Sequence, residues 1–535
     1  MREIYTNARV YTGDGNCSAF VCEDGRFLYA GDNEGTMAYK TENTPVYDLD
    51  GAFVCAGFND SHMHLLSYGE YLTSARLSEH TRSVSDMISY MRDFLRGHPA
   101  EAWLYGRGWN QDYFEDEHRY PTRYDMDKVS TETPICAVRA CGHCLVVNSK
   151  VLDLLHITAE TECPDGGSIG MTDGEPNGLF FDNAMSMVYA AIPSPDKDRV
   201  KAMLRTAMRE LNTYGVTSCQ TDDYSFKREI PYEIINEAYR ELAASGEMTV
   251  RVYEQSNFTS LSDLRGFVEA GNLTGVGDEY FRIGPLKMLG DGALGAHTAY
   301  LSEPYADAPE TRGLPVFTQE VMAEMISYAN AHDMQVAVHA IGDGCLDRVL
   351  NAIEKALVEN PRDDHRHGIV HCQITRPDQL RRITELKLHV YAQSIFLDYD
   401  NHIVVSRVGK ERAETSYNWK TLMRGGVSVS NGTDCPVEMP FALGGIQCAV
   451  TRASLRGDRT PYLPREAFSV REAIDSYTIR SAEASFEENE KGRIKEGQYA
   501  DFVVLGGDPF TVPPDTIKDI PVLAVYMGGK RVFGR

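Results

Sequence analysis

The apolar positions of this chain follow two rhythms. Near both ends they fall in short strand-like runs broken by glycine-containing turns. The segment 21–28 sets Asp24-Gly25 between two apolar runs, a hairpin signal. Residues 499–505 and 522–533, the latter turning at Gly528-Gly529, repeat the pattern at the other end. In the long middle, short β-branched runs alternate with stretches whose apolar residues recur every three or four positions, as in 199–211 and 321–331. Strand–helix alternation over several hundred residues predicts a parallel α/β architecture. The strand-rich ends predict a small β domain that closes only once both termini are present.

Composition changes this picture little. Of 535 residues, 42% are hydrophobic and 24% charged, the balance of a folded globular protein. The net charge of −25 argues against nucleic acid or an anionic membrane as partner. The 12 cysteines show no disulfide-framework spacing. No signal peptide is legible, and no apolar run approaches the ~18 residues of a membrane span. A cytoplasmic protein with reduced thiols is expected.

The candidate chemistry lies where apolar strands end in histidine or aspartate. The run 52–64 (AFVCAGFNDSHMH) reads as a strand whose period of two puts His62 and His64 on one face, half of a metal site. The runs 335–339 and 368–371 end in His339 and His371, and 427–434 runs into Asp434. Singly, each such histidine is more often a satisfied core or loop residue, and the second His-x-His, His365 and His367 in a charged loop, is given no role. Together, in this order, the set has the imidazole and carboxylate donors of a zinc site. Ligands at successive strand ends fit a (β/α)8 barrel, whose active site lies at that face.

Nearly the whole chain also carries recognisable motifs: IYTNARVYTGDG, GFNDSHMH, GRGWNQDYF, RACGHCLVVNS, LKMLGDGALGAHTAYLSEPY, VHAIGD, HGIVHCQ, NGTDCPV and GRIKEGQYADFVVL. In these it resembles the amidohydrolase superfamily of metal-dependent hydrolases, in the branch like N-substituted formamide deformylase. The resemblance implies that His62 and His64 bind one metal and His339 and His371 a second, both zinc. It implies that Asp434 ligates metal and acts as general base, and that Lys287 bridges as a carboxylated lysine. A bare ammonium beside two dications is repelled, whereas its carbamate is an anionic oxygen ligand. Ala56, where proline is usual, and Asp182, where glutamate is common, depart from the pattern without touching a ligand.

Counting strands from His62/His64 places the second at 216–220, the third at 250–253 and Lys287 on the fourth. His339, His371, the run 390–393 and Asp434 then mark five to eight. The expected fold is α/β: a (β/α)8 TIM-type barrel (53–440) with a small β-sandwich domain from both termini (1–52 and 491–535). Barrel-closing helices occupy 441–490, and an insertion after strand one spans about 75–200. Trp109, Arg139 and His143 of the insertion, with Gln393, are the expected substrate-binding residues. His143 also counts as catalytic, helping to hold an oxyanion. Cys141 and Cys144 form a C-x-x-C around His143 that is read as pocket or structural thiols rather than a redox motif.

The expected reaction is attack of metal-activated hydroxide on the carbonyl of an amide, formamide or related small molecule, with Asp434 passing a proton to the leaving amine. A deaminase of the same superfamily is the alternative. Those enzymes place glutamate three residues after the fifth-strand histidine, where this chain has Gly342 followed by Asp343. A noncatalytic binder on a decayed barrel is disfavoured because every ligand position is filled. The expected partners are a small-molecule substrate and at most a second copy of the chain, as a homodimer.

Overall fold

Eight parallel strands form the central sheet of the computed structural model, which describes residues 2–98, 102–115, 117–141, 143–164, 166–226 and 230–534. In order they are Phe58–Met63, Val216–Thr221, Arg251–Asn257, Phe281–Leu289, Val336–Ala340, Gly368–His371, His389–Ala392 and Val429–Asn431. We call them barrel strands one to eight. Each pairs in parallel with the next. Strands one and eight meet through side-chain and main-chain bonds rather than a ladder. Asp60 accepts the N–H of Thr433 at 3.0 Å, and the N–H of Asp434 donates to the His62 carbonyl at 2.8 Å. The result is a nearly closed, TIM-type barrel. Its strands are buried along almost their whole length: strand five (VAVHA) reads as an apolar run, whereas strands two and three (VTSCQT and RVYEQSN) carry polar side chains into the buried interior.

Helices cover the strands where the three-to-four spacing predicts them. Gln319–Ala331 starts at Thr318, whose side chain accepts the N–H of Val321. The predicted helix at 199–211 is part of a longer one, Lys197–Thr213.

One expected strand divides. The run 52–64 is not a single strand: Phe53–Ala56 pairs with Arg9–Tyr11 and Phe502–Leu505, and only Phe58–Met63 enters the barrel. Gly57 is the joint, and a Cβ there would overlap the Thr217 side chain. Lys287 lies two residues inside strand four, and Asp434 lies three residues beyond strand eight.

The two termini form two sheets. A four-stranded sheet has the order Arg26–Gly31, Ala19–Glu23, Arg2–Thr6, Val46–Asp48. A six-stranded sheet has the order Lys530–Gly534, Val522–Met527, Phe502–Leu505, Phe53–Ala56, Arg9–Tyr11, Asn16–Cys17. Both supply one hydrophobic cluster, with Tyr5, Phe20 and Phe27 from the first and Val54, Phe502 and Val504 from the second. The predicted hairpin turns at Asp24-Gly25, with both residues at positive φ.

A second compact unit comprises residues 66–206 with 226–234. Its six-stranded sheet runs Gly167–Thr172, Glu175–Asp182, Cys144–Val147, Ile135–Arg139, Leu104–Trp109, Ala75–Arg76. Within it Leu104–Trp109 and Ile135–Arg139 pair in parallel with each other. Among the described residues no helix is long and apolar enough to cross a membrane.

Candidate metal centre

Local strand geometry brings four imidazoles together at the C-terminal end of the barrel. The His62 and His64 rings lie 5.4 Å apart, His62 and His371 5.6 Å, and His371 and His339 4.4 Å. Donor atoms of His62, His64 and Asp434 all fall within 4.8 Å of one another. Asp434 Oδ1 is 3.1 Å from His64 Nε2 and 3.4 Å from His62 Nε2.

Each ring is held by its far nitrogen. His62 Nδ1 lies 2.7 Å from Gln255 Oε1, and Gln255 Nε2 donates to the Ser61 carbonyl. His371 Nδ1 lies 2.7 Å from Gln393 Oε1, and Gln393 Nε2 donates to the Tyr391 carbonyl. Each amide nitrogen is thus committed to a carbonyl, so the amide oxygen faces the imidazole and Nδ1 carries the proton. His64 Nδ1 points at the Asp222 carbonyl, 3.0 Å away, with the same consequence. His62 and His371 therefore turn an unprotonated Nε2 inward, as a ligand needs, whereas His64 turns its Nε2 to Asp434 Oδ1, 3.1 Å away, and exchanges the proton there for a metal. His339 is reversed. Its Nε2 meets the Gly292 carbonyl at 3.1 Å and Asp291 at 3.3 Å, leaving Nδ1 as the lone-pair nitrogen.

The electrostatics agree. Burial, reinforced by the Lys287 charge, holds His62 well below the usual histidine range; burial and His339 do the same for His371. Burial also opposes charge on His64, but the hydrogen bond and charge of Asp434 outweigh it and push that ring up to about 9. Burial would raise Asp434, yet the His64 hydrogen bond and the neighbouring imidazoles hold it well below the usual carboxylate range. A charged carboxylate beside the neutral imidazoles of His62 and His371, with His64 able to exchange its Nε2 proton for a metal, is a donor set for a divalent cation of the zinc type. These residues fit the metal that their pattern implies.

Lys287 is buried, with Nζ 3.5 Å from Asp222 Oδ2. Asp222 follows strand two and also accepts from Asn257. Sequence reasoning missed four residues here: Asp222, Asn257, Gln255 and Asp291. Gln255 and Asn257 had a usable signal, since they share one face of strand three by the period of two. Asp291 had none. It is fully buried and accepts the N–H groups of Tyr300, Ile341 and Gly342, tying the loops after strands four and five together beside His339.

The remaining predicted residues take other places. Gln393, expected against substrate, is fully buried and orients His371. Trp109 is buried in a core of the second unit, with its indole N–H on the Ala137 carbonyl. In the same unit Arg139 binds Asn110, Gln111 and Asp112. His143 is exposed there, with Nδ1 3.1 Å from Asp182. The two thiols beside it differ. Burial pushes Cys144 up to about 12, whereas Cys141 is exposed and lowered, the His143 N–H and Arg139 outweighing what burial it has.

Comparison with known proteins gives this centre a context. A model of the amidohydrolase family matches residues 45–533. The chain belongs to the amidohydrolase family. YtcJ of Bacillus subtilis (strain 168), named as an amidohydrolase, is 34% identical over 540 residues, covering 100% of this chain and 99% of that one. The N-substituted formamide deformylase of Arthrobacter pascens is 24% identical, over 98% of this chain and 97% of its own. An uncharacterized metal-dependent hydrolase from Pyrococcus furiosus superposes with a TM-score of 0.80 at 29% identity, covering 96% of this chain and 100% of that one. An amidohydrolase of the metal-dependent type accounts for four anchored imidazoles and a charged aspartate at one barrel end.

Proposed function

We propose that the protein hydrolyses a C–N bond of a small amide, formamide or related compound. The observation that carries this reading is the set of inward-facing ring nitrogens around Asp434. His62, His64 and Asp434 would hold one zinc ion; His339, His371 and a carboxylated Lys287 would complete a site for a second. Bound metal supplies Lewis-acid polarisation of a carbonyl and lowers the pKa of water from 15.7 to about 7. Asp434 Oδ1 is engaged by two histidines, which leaves Oδ2 to take the proton of the attacking water. The water oxygen adds to the carbonyl carbon, the C–N bond breaks, and Asp434 returns its proton to the departing nitrogen. The products are a carboxylic acid and an amine. We also propose Arg139 and His143 as substrate contacts.

Amide hydrolysis is favoured over deamination by the position after strand five. Gly342 has no side chain to move a proton. Asp343 is buried and engaged by Ser302 and by Arg376 at 3.0 Å. The test is amine release from a panel of N-formyl, N-acyl and carbamoyl compounds, with Asp434→Asn as control. Turnover in the wild type and a loss of about 10²-fold or more in the variant is expected. Release of ammonia from amino-substituted heterocycles, with no cleavage across the panel, would instead establish the deaminase.

A further inference from the structure

Beyond the reacting bond, the loops after strands six, seven and eight bring together a buried glutamine and three carboxyl groups. Gln373 lies two residues past His371 and is 1% exposed. Its Nε2 approaches Asp400 Oδ2 at 3.4 Å, while its Oε1 has no partner. Asp400 can only accept, so the amide nitrogen must face it, and the unpartnered atom is an acceptor by necessity. The backbone N–H of Tyr417 fixes Gln373 through its carbonyl, and the Tyr417 hydroxyl donates to Asp400 Oδ2 at 2.8 Å. Asp398 lies two residues earlier on the same short helix, Leu397–Asp400, and takes the N–H of Leu455 on one oxygen. Glu438, half-buried, follows Asp434 by four residues. The helix is attached to the metal centre through Phe396, whose ring stacks on His371 with centroids 5.8 Å apart.

Asp398, Asp400 and the orphaned side-chain carbonyl oxygen of Gln373 call for a donor, and a cationic donor would hold Glu438 ionised as well. The cation facing Glu438 is Arg456, which is exposed. Burial pushes Glu438 up to about 7, with the charges of Asp398 and Asp400 adding to it and Arg456 opposing; the same burial pushes Asp400 up to about 6. Tyr399 and Val437, 60% and 66% exposed, flank the acids with apolar surface.

We propose that the substrate carries a cationic nitrogen group, an alkylammonium or guanidinium, held by Asp398, Asp400, Glu438 and the Gln373 carbonyl while its amide is cleaved at the metal centre. This rests on the C–N hydrolysis reading above. The apolar neighbours suit the alkyl chain between the two groups, and the acids suit its charged end.

The test compares two isosteric probes, N-(4-aminobutyl)formamide and N-pentylformamide, on the metal-loaded protein. Calorimetry reads their binding and amine release reads their cleavage. The ammonium probe is expected to bind about tenfold tighter than the neutral one. Glu438→Gln with Asp398→Asn should bring that ratio towards one, and Glu438→Lys should invert it, in variants whose unfolding midpoint matches the wild type. Equal binding of the two probes, or a preference untouched in both variants, overturns the proposal. The two readings fail separately. If the ammonium probe is preferred in binding but neither probe is cleaved, the cation site stands and formamide hydrolysis falls; if both are cleaved without preference, the reverse holds.

Discussion

Replacing Gln393 by leucine isolates the part of the metal centre that the chain itself supplies. The side chain is fully buried and spans two partners: Oε1 lies 2.7 Å from His371 Nδ1, and Nε2 donates to the Tyr391 carbonyl at 3.0 Å. Leucine fills nearly the same volume but accepts nothing. The His371 N–H is then buried without a partner, a cost of about 1–3 kcal/mol. The ring can recover that bond only by turning, which takes Nε2 away from the metal. Divided by 1.4 kcal/mol per decade, that cost is about 5- to 150-fold in affinity, close to the ~10–100-fold typical when a ligand's supporting partner is removed. The assay is competition for zinc against a chelator of known affinity, with thermal unfolding of the metal-free protein alongside. Gln393→Glu, which keeps an acceptor on Nδ1, should restore most of the affinity. If Gln393→Leu instead binds zinc within twofold of wild type and only raises KM, Gln393 touches substrate and the ring-anchoring argument is wrong.

Three further outcomes follow from the same geometry. Lys287→Ala should lose metal and activity together, with partial recovery on adding short carboxylic acids; full activity without them would end the bridging role. Asp291→Asn leaves a single acceptor oxygen for three N–H groups and alters the group facing His339, so zinc affinity should fall about tenfold or more; an unchanged affinity would make Asp291 a loop brace only. Arg251 is buried with Asp501, Nε to Oδ2 2.7 Å, so Arg251→Met should cost about 3–5 kcal/mol in denaturant unfolding; a loss below about 1 kcal/mol would show that the charges are solvated.

Much of the barrel was legible because its signals are local. His62 and His64 stand out by their His-x-His spacing after an apolar run, while His339 and His371 end runs of β-branched residues, and such a run bounded by turns marks a buried parallel strand. Asp434 was legible for the same reason, although the strand stops three residues earlier. The division at Gly57 was hidden by that very feature. Phe53–Ala56, Gly57 and Phe58–Met63 are all buried and the apolar run continues to Phe58, so no exposed turn marks where one sheet hands the chain to another. The supporting residues were hidden by distance. Gln255 meets a histidine 193 residues away, across an intervening strand, and only the register of the closed sheet makes that pair. Asp291 is one aspartate among 78 acidic residues until Tyr300, Ile341 and Gly342 fold back onto it.

Whether metal and Asp434 together perform the hydrolysis is decided by one add-back experiment. Chelator-stripped protein is assayed for amine release on the N-formyl, N-acyl and carbamoyl panel, then titrated with zinc, in the wild type and in Asp434→Asn. Activity should be absent without metal, rise to a plateau at about two zinc ions per chain, and fail to return in the variant. A plateau at one zinc would leave the site mononuclear. Undiminished amine release from the stripped protein, or from Asp434→Asn, would contradict a metal-dependent mechanism at this centre.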